Sequence, residues 1–297
     1  MATSNRTEPV KTEKKMSNVY KKIGVLIVVL ATIALVVGVI VPGLLQTNVT
    51  VASIPLRELV TVLLLWGAFY ASGSLVLYRN VKVNYTRKIV HFSFFFLPLF
   101  LDAVFPIDGA GSSASLSYIF ILISFVVFIE PILSRAPFAQ RMFLAIDRPE
   151  DRPYTLRWWW IQIFTAIVAL SIGAVILNVL GYGEMLVLVP VLAAMGDGLA
   201  EPIGVRFGKH KYRIYTLFAK TDQKYYRTIE GSATVFVATF VVVLFSGAFF
   251  TTPEFILALI LVPTIITVAE AIAPHTMDTP FLQFFGCIAL VLAKHFV

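Results

Sequence analysis

Runs of about 20 apolar residues recur along the whole chain, with short polar segments between them. Each run is long enough to cross about 30 Å of hydrocarbon as a helix. The runs are continuous and do not alternate in polarity, so a transmembrane β-barrel is not expected. The sequence therefore predicts an all-α fold, a polytopic transmembrane helical bundle of about nine spans. The predicted spans are 23–45, 58–78, 89–106, 116–133, 158–180, 184–205, 232–250, 254–273 and 280–296.

Residues 1–22 precede the first apolar run and are polar and basic. They contain no apolar core of the kind that a secretory signal peptide needs. They are predicted to be a disordered tail, because a polar segment buries too little apolar surface to offset its conformational entropy. The chain is thus divided into this tail and a transmembrane domain over residues 23–297.

The composition supports the membrane assignment. Of the 297 residues, 58% are hydrophobic and only 14% are charged, which is too apolar for an ordinary soluble domain. The single cysteine, Cys287, excludes an internal disulfide and lies in an apolar run. It is expected to be a small buried hydrophobic residue.

The basic residues lie almost entirely on one side of the predicted bundle. With the tail placed in the cytoplasm, 22 of the 24 Lys and Arg residues fall in the tail and in the loops 79–88, 134–157 and 206–231. Only Arg57 and Lys294 fall on the opposite side. This distribution predicts a cytoplasmic N-terminus and an outer C-terminus. The net charge of +7 then follows mostly from topology, and no nucleic-acid partner is expected.

Residues 134–148 lie between the fourth and fifth predicted spans and alternate apolar with basic positions. Phe138, Met142, Phe143 and Ile146 recur at helical spacing. The pattern predicts a short amphipathic helix in the cytoplasmic interface of the membrane.

The segment 192–232 carries two acids at the end of a predicted span, followed by seven basic residues. Asp197 and Glu201 are four residues apart, so a helix places both carboxylates on one face. Gly196, Ala200, Gly204 and Gly208 recur at the same four-residue spacing and form a neighbouring stripe of small residues. One interpretation is a site for a metal-bound polyphosphate, and the other is a helix-packing seam followed by an ordinary basic loop. The cost of ionisable groups at membrane depth favours the first.

Charged and polar residues at several other span ends fall on the same predicted side, which favours one shared site. Carboxylates bind magnesium, Lys and Arg neutralise a transferring phosphoryl group, and helix N-termini bind anions. His91 or a carboxylate is the candidate general base for an alcohol. No nucleophile triad, zinc-binding motif or Walker phosphate loop occurs in the chain.

Three ordered motifs give a more specific indication. They are Arg87-Lys88-Ile89-Val90-His91, then GDGLAEPIGVRFG over residues 196–208, then RTIEGS over residues 227–232. Together they resemble the phytol kinase, farnesol kinase and dolichol kinase family, over roughly residues 85–280. Members of that family are integral membrane enzymes that phosphorylate the hydroxyl of a membrane alcohol, commonly with CTP. The family also includes a CTP-dependent diacylglycerol kinase.

The resemblance implies a cytoplasm-facing site that takes a membrane isoprenoid alcohol, Mg²⁺ and CTP. The chain departs from the family at Arg227, where a Lys is expected, and Glu270 matches the last acidic motif only loosely. The catalytic candidates are Asp197, His91, Lys88 and Glu230. The metal candidates are Asp197, Glu201 and Glu270. The nucleotide-binding candidates are Gly196, Gly198, Gly204, Gly208, Lys209, Lys211, Arg227, Gly231 and Ser232.

The sequence leaves three alternatives open. The acceptor could be diacylglycerol or dolichol. The enzyme could transfer a nucleotidyl group, as phosphatidate cytidylyltransferases do. In an ion-coupled transporter, Glu130, Asp197, Glu201 and Glu270 would carry ions. The absence of a convincing internal repeat and the position of the acids near one surface weigh against transport.

Overall fold

The long apolar runs of the sequence form helices in the computed structural model of this protein, which describes residues 54–105, 114–217 and 224–295. The predicted tail 1–22 and the predicted span 23–45 lie outside the described residues. The described part contains ten α-helices and one two-stranded sheet. The helices are α1 (Ile54–Arg79), α2 (Val83–Val104), α3 (Ala114–Ser124), α4 (Glu130–Leu133), α5 (Pro137–Phe143), α6 (Thr155–Val179), α7 (Leu188–Phe207), α8 (Ile229–Leu244), α9 (Thr252–Ile272) and α10 (Asp278–His295).

Helical structure occurs at each of the eight predicted spans that fall within the described residues. Four helical stretches are long and apolar enough to cross a membrane, and two others, Ser117–Phe128 and Ile229–Leu244, are apolar but shorter. A mostly helical chain with membrane-compatible helices is therefore confirmed, while nine spans and a cytoplasmic N-terminus stay predictions. The four stretches are Leu56–Arg79, Thr155–Val179, Gly183–Phe207 and Thr252–Ile272.

The predicted span 116–133 is not one continuous helix. Helix α3 ends at Ser124, a 3-10 turn follows over Phe125–Phe128, and Ile129 is extended before α4 begins at Glu130. Pro131 explains the break, because proline lacks the N–H that a continuing helix needs and its ring clashes with the preceding turn. In the first turn of a new helix these defects cost little.

The basic loop after α7 contains a β-hairpin that the sequence did not predict. Strand β1 (Lys211–Ile214) pairs antiparallel with β2 (Tyr225–Thr228), with Tyr212 opposite Arg227. Alternate residues point to opposite faces of a strand, so Lys211 and Arg213 are exposed while Ile214 is buried. The charges on the outer face conceal this alternation, so the sequence predicts a basic loop here.

The described helices bury two main apolar cores. The first lies among α1, α2, α3 and α5 and includes Phe69 and Phe125. The second lies among α6 to α10 and includes Leu192, Val235 and Leu290. Helix α2 also packs against α7. This contact brings the first motif of the sequence to the second.

The short amphipathic helix predicted between the fourth and fifth spans is present as α5. Its apolar face packs on protein, because Ala139 and Met142 are buried and α5 contacts α1. Gly73 of α1 permits this approach, since a side chain there would collide with the backbone carbonyl of Arg141. Phe138 remains exposed and is the apolar side chain of α5 that is free to face lipid.

Candidate functional site

The centre of the candidate site is a buried ion cluster between α2 and α7. Lys88 Nζ lies 2.7 Å from Asp197 Oδ1 and 3.2 Å from Glu201 Oε2. The Lys88 and Asp197 side chains are only 3% and 6% exposed. The four-residue spacing of the two acids sets them one helical turn apart, and one ammonium group of α2 lies within reach of both. The structure therefore brings together three of the residues that the sequence singled out.

Three further polar side chains surround the Glu201 carboxylate. Asn84 Nδ2 donates to Oε1 at 2.8 Å, Arg148 Nη1 lies 3.3 Å from the same oxygen, and Arg87 lies 4.0 Å from Oε2. Asn84 and Arg148 were not predicted as site residues. Arg148 comes from the segment before α6 and is 7% exposed. Its position in a predicted cytoplasmic loop, on the side of the other charges, was the available signal.

His91 adjoins the cluster but is not fully paired. Its Nδ1 is 3.6 Å from Asp197 Oδ2, which is beyond hydrogen-bond distance. Within the described part of the chain, His91 Nε2 and Asp197 Oδ2 are buried and have no hydrogen-bond partner. A buried polar atom without a partner is costly, so such atoms often face a ligand or an ordered water. These two atoms are the points at which the cluster can accept a bound molecule.

A second polar network joins the hairpin to α8, α9 and α10. Ser232 Oγ donates to Glu270 Oε2 at 2.9 Å and lies 2.7 Å from the Tyr212 hydroxyl. Arg227 Nε lies 3.1 Å from Glu270 Oε1, and its guanidinium also contacts Asp278 and the backbone carbonyl of Glu270. Arg227, predicted to bind phosphate, is therefore held by protein acceptors. Glu270 is close enough for the charges of Asp197 and Lys88 to act on it, so the two networks are neighbours.

Glu230 does not join the buried cluster. Its carboxylate accepts from His210, with Oε1 2.8 Å from the imidazole Nδ1 and both oxygens 3.3 Å from the backbone nitrogen. The hairpin thereby closes onto the first turn of α8, where an acid also complements the helix dipole. In the described part of the chain, Glu230 makes no hydrogen bond or ion pair with Lys88 or Asp197. The described structure therefore does not bring Glu230 to the same point as Lys88 and Asp197.

The predicted nucleotide-binding glycines of α7 are covered by neighbouring side chains. A methyl group at Gly196 would lie 2.8 Å from Leu282 and one at Gly204 would lie 2.7 Å from Thr228 Oγ1, while Gly198 is covered by the ring of Phe92. Gly208 is covered by Thr228. These glycines do not present bare backbone to a ligand. The structure instead agrees with the packing-seam interpretation, in which small residues let helices approach closely.

The remaining nucleotide-binding candidates divide into exposed and packed residues. Lys209 and Lys211 are exposed at the end of α7 and on the outer face of the hairpin. Gly231 lies against α7, where an added methyl would be 3.0 Å from the Ala200 carbonyl, and its N–H donates to the capping residue Thr228 at 3.1 Å. The exposed lysines are therefore available to phosphate oxygens, whereas Gly231 shapes the contact between α7 and α8.

The structure does not assemble the predicted three-carboxylate metal site. Among the described residues, no group of three His, Cys, Asp or Glu side chains is placed to hold a metal ion. Lys88 lies between Asp197 and Glu201, and Glu270 is engaged by Ser232 and Arg227. Magnesium that arrives with a nucleotide needs only one or two carboxylate oxygens, because phosphates and waters complete its shell. The unpaired Asp197 Oδ2 can supply one such carboxylate oxygen.

A third network secures the segment before α6 to the loop after α9. Arg148 lies 2.6 Å from Asp151 Oδ2, and His275 Nε2 lies 2.8 Å from Asp151 Oδ1. Burial lowers the pKa of His275, although its hydrogen bond to Asp151 opposes this effect. Burial disfavours the Asp151 carboxylate, but the hydrogen bond from His275 and the charge of Arg148 outweigh it and lower the pKa of Asp151. His275 also stacks on Tyr225 with ring centroids 3.7 Å apart.

We expect the protein to lose stability as the pH falls below about 6.5. In the unfolded chain His275 takes up a proton near its ordinary pKa of 6.5, whereas the folded state resists protonation until lower pH. The unfolded state then binds more protons, so the free energy of unfolding decreases as the pH falls. Asp151 adds a further loss below its ordinary pKa of 3.8.

The measurement is the thermal unfolding midpoint of the purified protein in detergent between pH 8 and pH 5. His275→Gln should flatten the decline, and His210→Gln, which changes the exposed histidine of the hairpin, should retain it. An unchanged slope in His275→Gln would contradict the assignment.

The chain was also compared with known proteins. No protein-family model, no curated protein and no solved structure matches it.

Proposed function

We propose that this protein is an integral membrane kinase that transfers the γ-phosphate of a nucleoside triphosphate, CTP, to the hydroxyl of a membrane isoprenoid alcohol. The observation that carries the proposal is the buried cluster of Lys88, Asp197 and Glu201 with two unpartnered polar atoms beside it. Ionisable groups in apolar helices are expensive and are commonly functional. The choice of phosphoryl transfer as the reaction rests on the three sequence motifs that resemble those of lipid-alcohol kinases.

The proposed topology has nine spans, with the N-terminus and the site on the cytoplasmic side. Its support is the distribution of basic residues, 22 of which fall on one side of the predicted bundle. The cluster residues Arg87, Lys88 and Arg148 belong to predicted loops of that side. A nucleotide in the cytoplasm would then reach the cluster without crossing the membrane.

In the proposed reaction, the alcohol oxygen forms a bond to the γ-phosphorus while the bond from that phosphorus to the bridging oxygen breaks. CDP leaves with the electron pair, and the hydroxyl proton passes to His91. Lys88 and Arg87 neutralise charge on the transferring group, which is the main contribution a protein makes to phosphoryl transfer. Magnesium bound with the nucleotide would supply further charge neutralisation, with Asp197 Oδ2 as its protein ligand, because both oxygens of Glu201 already face cations or Asn84.

The nucleotide phosphates are assigned to the exposed cations Lys209 and Lys211. Arg227 and Ser232 have a different proposed role, because both are already bonded to Glu270. They position the hairpin and α8 next to the ion cluster. The Ser232–Tyr212 hydrogen bond of 2.7 Å supports this role.

The proposal predicts a lipid monophosphate and a nucleoside diphosphate as products. Purified protein in nanodiscs is supplied with phytol, geranylgeraniol, a polyprenol or diacylglycerol, together with Mg²⁺ and CTP or ATP, and products are identified by mass. Transfer to an isoprenoid alcohol supports the proposal. A CDP-lipid with pyrophosphate would identify a cytidylyltransferase, and absence of transfer from any nucleotide to any alcohol would end the proposal.

A further inference from the structure

A lateral groove lies between α1 and α2. It has a volume of about 390 Å³, within the range of about 300–1,000 Å³ that small-molecule sites usually occupy. Its lining is almost wholly apolar. Phe100 and Leu64 are 61% and 50% exposed, so the groove is open along its side. The lining residues are Leu64, Phe92, Ser93, Phe96, Leu97 and Phe100.

One lining residue of the groove, Phe92, adjoins the ion cluster. Lys88, Phe92, Phe96 and Phe100 are each four residues apart on α2, so they form one stripe along the helix. The stripe is charged at Lys88 and aromatic beyond it. The ring of Phe92 covers Gly198, the residue after Asp197, and packs edge-on against His91 with centroids 6.0 Å apart. An apolar molecule in the groove would therefore have one end at Phe92, whose ring contacts His91.

His91 offers a hydrogen-bond acceptor at that end. Its Nδ1 lies 3.6 Å from the Asp197 carboxylate, and the backbone carbonyl of Ala194 is the hydrogen-bond acceptor for this imidazole. A neutral imidazole with its proton on Nδ1 has an acceptor at Nε2. Nε2 is buried and has no partner within the described residues. The missing partner is a hydrogen-bond donor, which a hydroxyl group supplies and a hydrocarbon chain or an ester does not.

We propose that the groove holds the hydrocarbon chain of a single-chain alcohol, whose hydroxyl donates to His91 Nε2. This inference rests on the proposed function and adds the acceptor site and the class of acceptor. A methylene group occupies roughly the liquid volume of a water molecule, about 30 Å³, so the groove holds roughly a dozen chain carbons. That is room for one chain. Diacylglycerol, which has two chains joined close to its hydroxyl, does not fit in this way.

A binding experiment without nucleotide tests the groove separately from phosphoryl transfer. The protein in phosphatidylcholine nanodiscs is irradiated with a photoactivatable single-chain isoprenoid alcohol, and the labelled peptide is mapped by mass spectrometry. We expect labelling within residues 92–100. Unlabelled phytol should compete, whereas diacylglycerol and the hydrocarbon phytane, which lacks the hydroxyl, should not.

Two variants provide the matched comparison. Ser93→Trp places a large ring in the groove and should reduce labelling roughly tenfold, the change that about 1.4 kcal/mol of binding free energy produces. Val237→Trp adds the same ring on the exposed surface of α8 and should leave labelling unchanged. If Ser93→Trp fails to fold, Gly198→Ala is used in its place. The methyl group that this substitution adds displaces the Phe92 ring that lines the groove, so labelling should again decrease.

The outcomes separate this inference from the proposed function. Labelling spread evenly over the helices, or displaced equally by phytane, would show an ordinary lipid-covered surface and overturn the inference. Labelling confined to the groove with no phosphoryl transfer would support the acceptor site and reject the kinase. Transfer to phytol together with labelling at another helix would retain the kinase and reject the groove.

Discussion

Replacing Asp197 by Asn is expected to reduce phosphoryl transfer by at least about 100-fold while the protein remains folded. Removing one preorganised group that stabilises charge commonly costs 10²–10³-fold in rate. Asn keeps the shape of the side chain but removes the negative charge that holds Lys88 at 2.7 Å, and it removes the unpaired carboxylate oxygen. Glu201 stays 3.2 Å from Lys88, so the buried ammonium group retains an anionic partner and the fold survives.

The measurement is the rate of lipid monophosphate formation, with the unfolding midpoint of the same preparation as the test of folding. Asp147→Asn is the control, because Asp147 is a carboxylate outside the cluster that pairs with the exposed Arg152. It should transfer at the wild-type rate. A fully active Asp197→Asn enzyme would remove Asp197 from the site and, with it, the basis of the proposed function.

The helices could be predicted from the sequence because a membrane-compatible helix is defined by a property of its own residues. An apolar run of sufficient length predicts a membrane-compatible helix whichever other helices pack against it. The run 254–273, for example, corresponds to α9 at Thr252–Ile272. The break in the run 116–133 does not show in its apolarity, because it arises from the effect of Pro131 on the backbone.

The pairing of side chains could be predicted only in part. Asp197 and Glu201 share a face by helix geometry alone, and this holds without knowledge of the fold. Which cation meets them depends on which helix packs against α7, and that is a property of the whole bundle. The sequence offered several cations for the role, and the contact between α2 and α7 selected Lys88.

The glycine stripe and Glu230 show why spacing alone could not decide the site. A row of small residues serves equally for approach to a phosphate and for approach to a helix, and only the neighbours distinguish the two uses. Here the neighbours are Leu282, Thr228 and Phe92. The motif order predicts Glu230 beside the cluster, but the unpredicted hairpin brings His210 to it instead.

Replacing Lys88 by Met is expected to cause the largest loss of stability of any single substitution in the cluster. It leaves Asp197 buried with no cation within hydrogen-bond distance, and removing one partner of a buried ion pair costs about 3–5 kcal/mol. Glu201 is less affected, because Arg148 and Asn84 remain beside it. The measurement is the free energy of unfolding in mixed detergent micelles. Arg152→Gln, which breaks a pair whose arginine is 53% exposed, should change stability by no more than about 1 kcal/mol.

A double variant distinguishes the loss of an ion pair from a loss of packing. In Lys88→Met/Asp197→Leu both charged partners become apolar, and such paired replacement is often neutral or stabilising. The double variant should therefore be more stable than Lys88→Met, although Leu and Met differ from the original side chains in shape. It should remain inactive, because the cation proposed to neutralise the phosphoryl group is still missing. If Lys88→Met were as stable as the wild type, Lys88 would not be the electrostatic partner of Asp197. If the double variant were active, Lys88 would not be part of the transfer site.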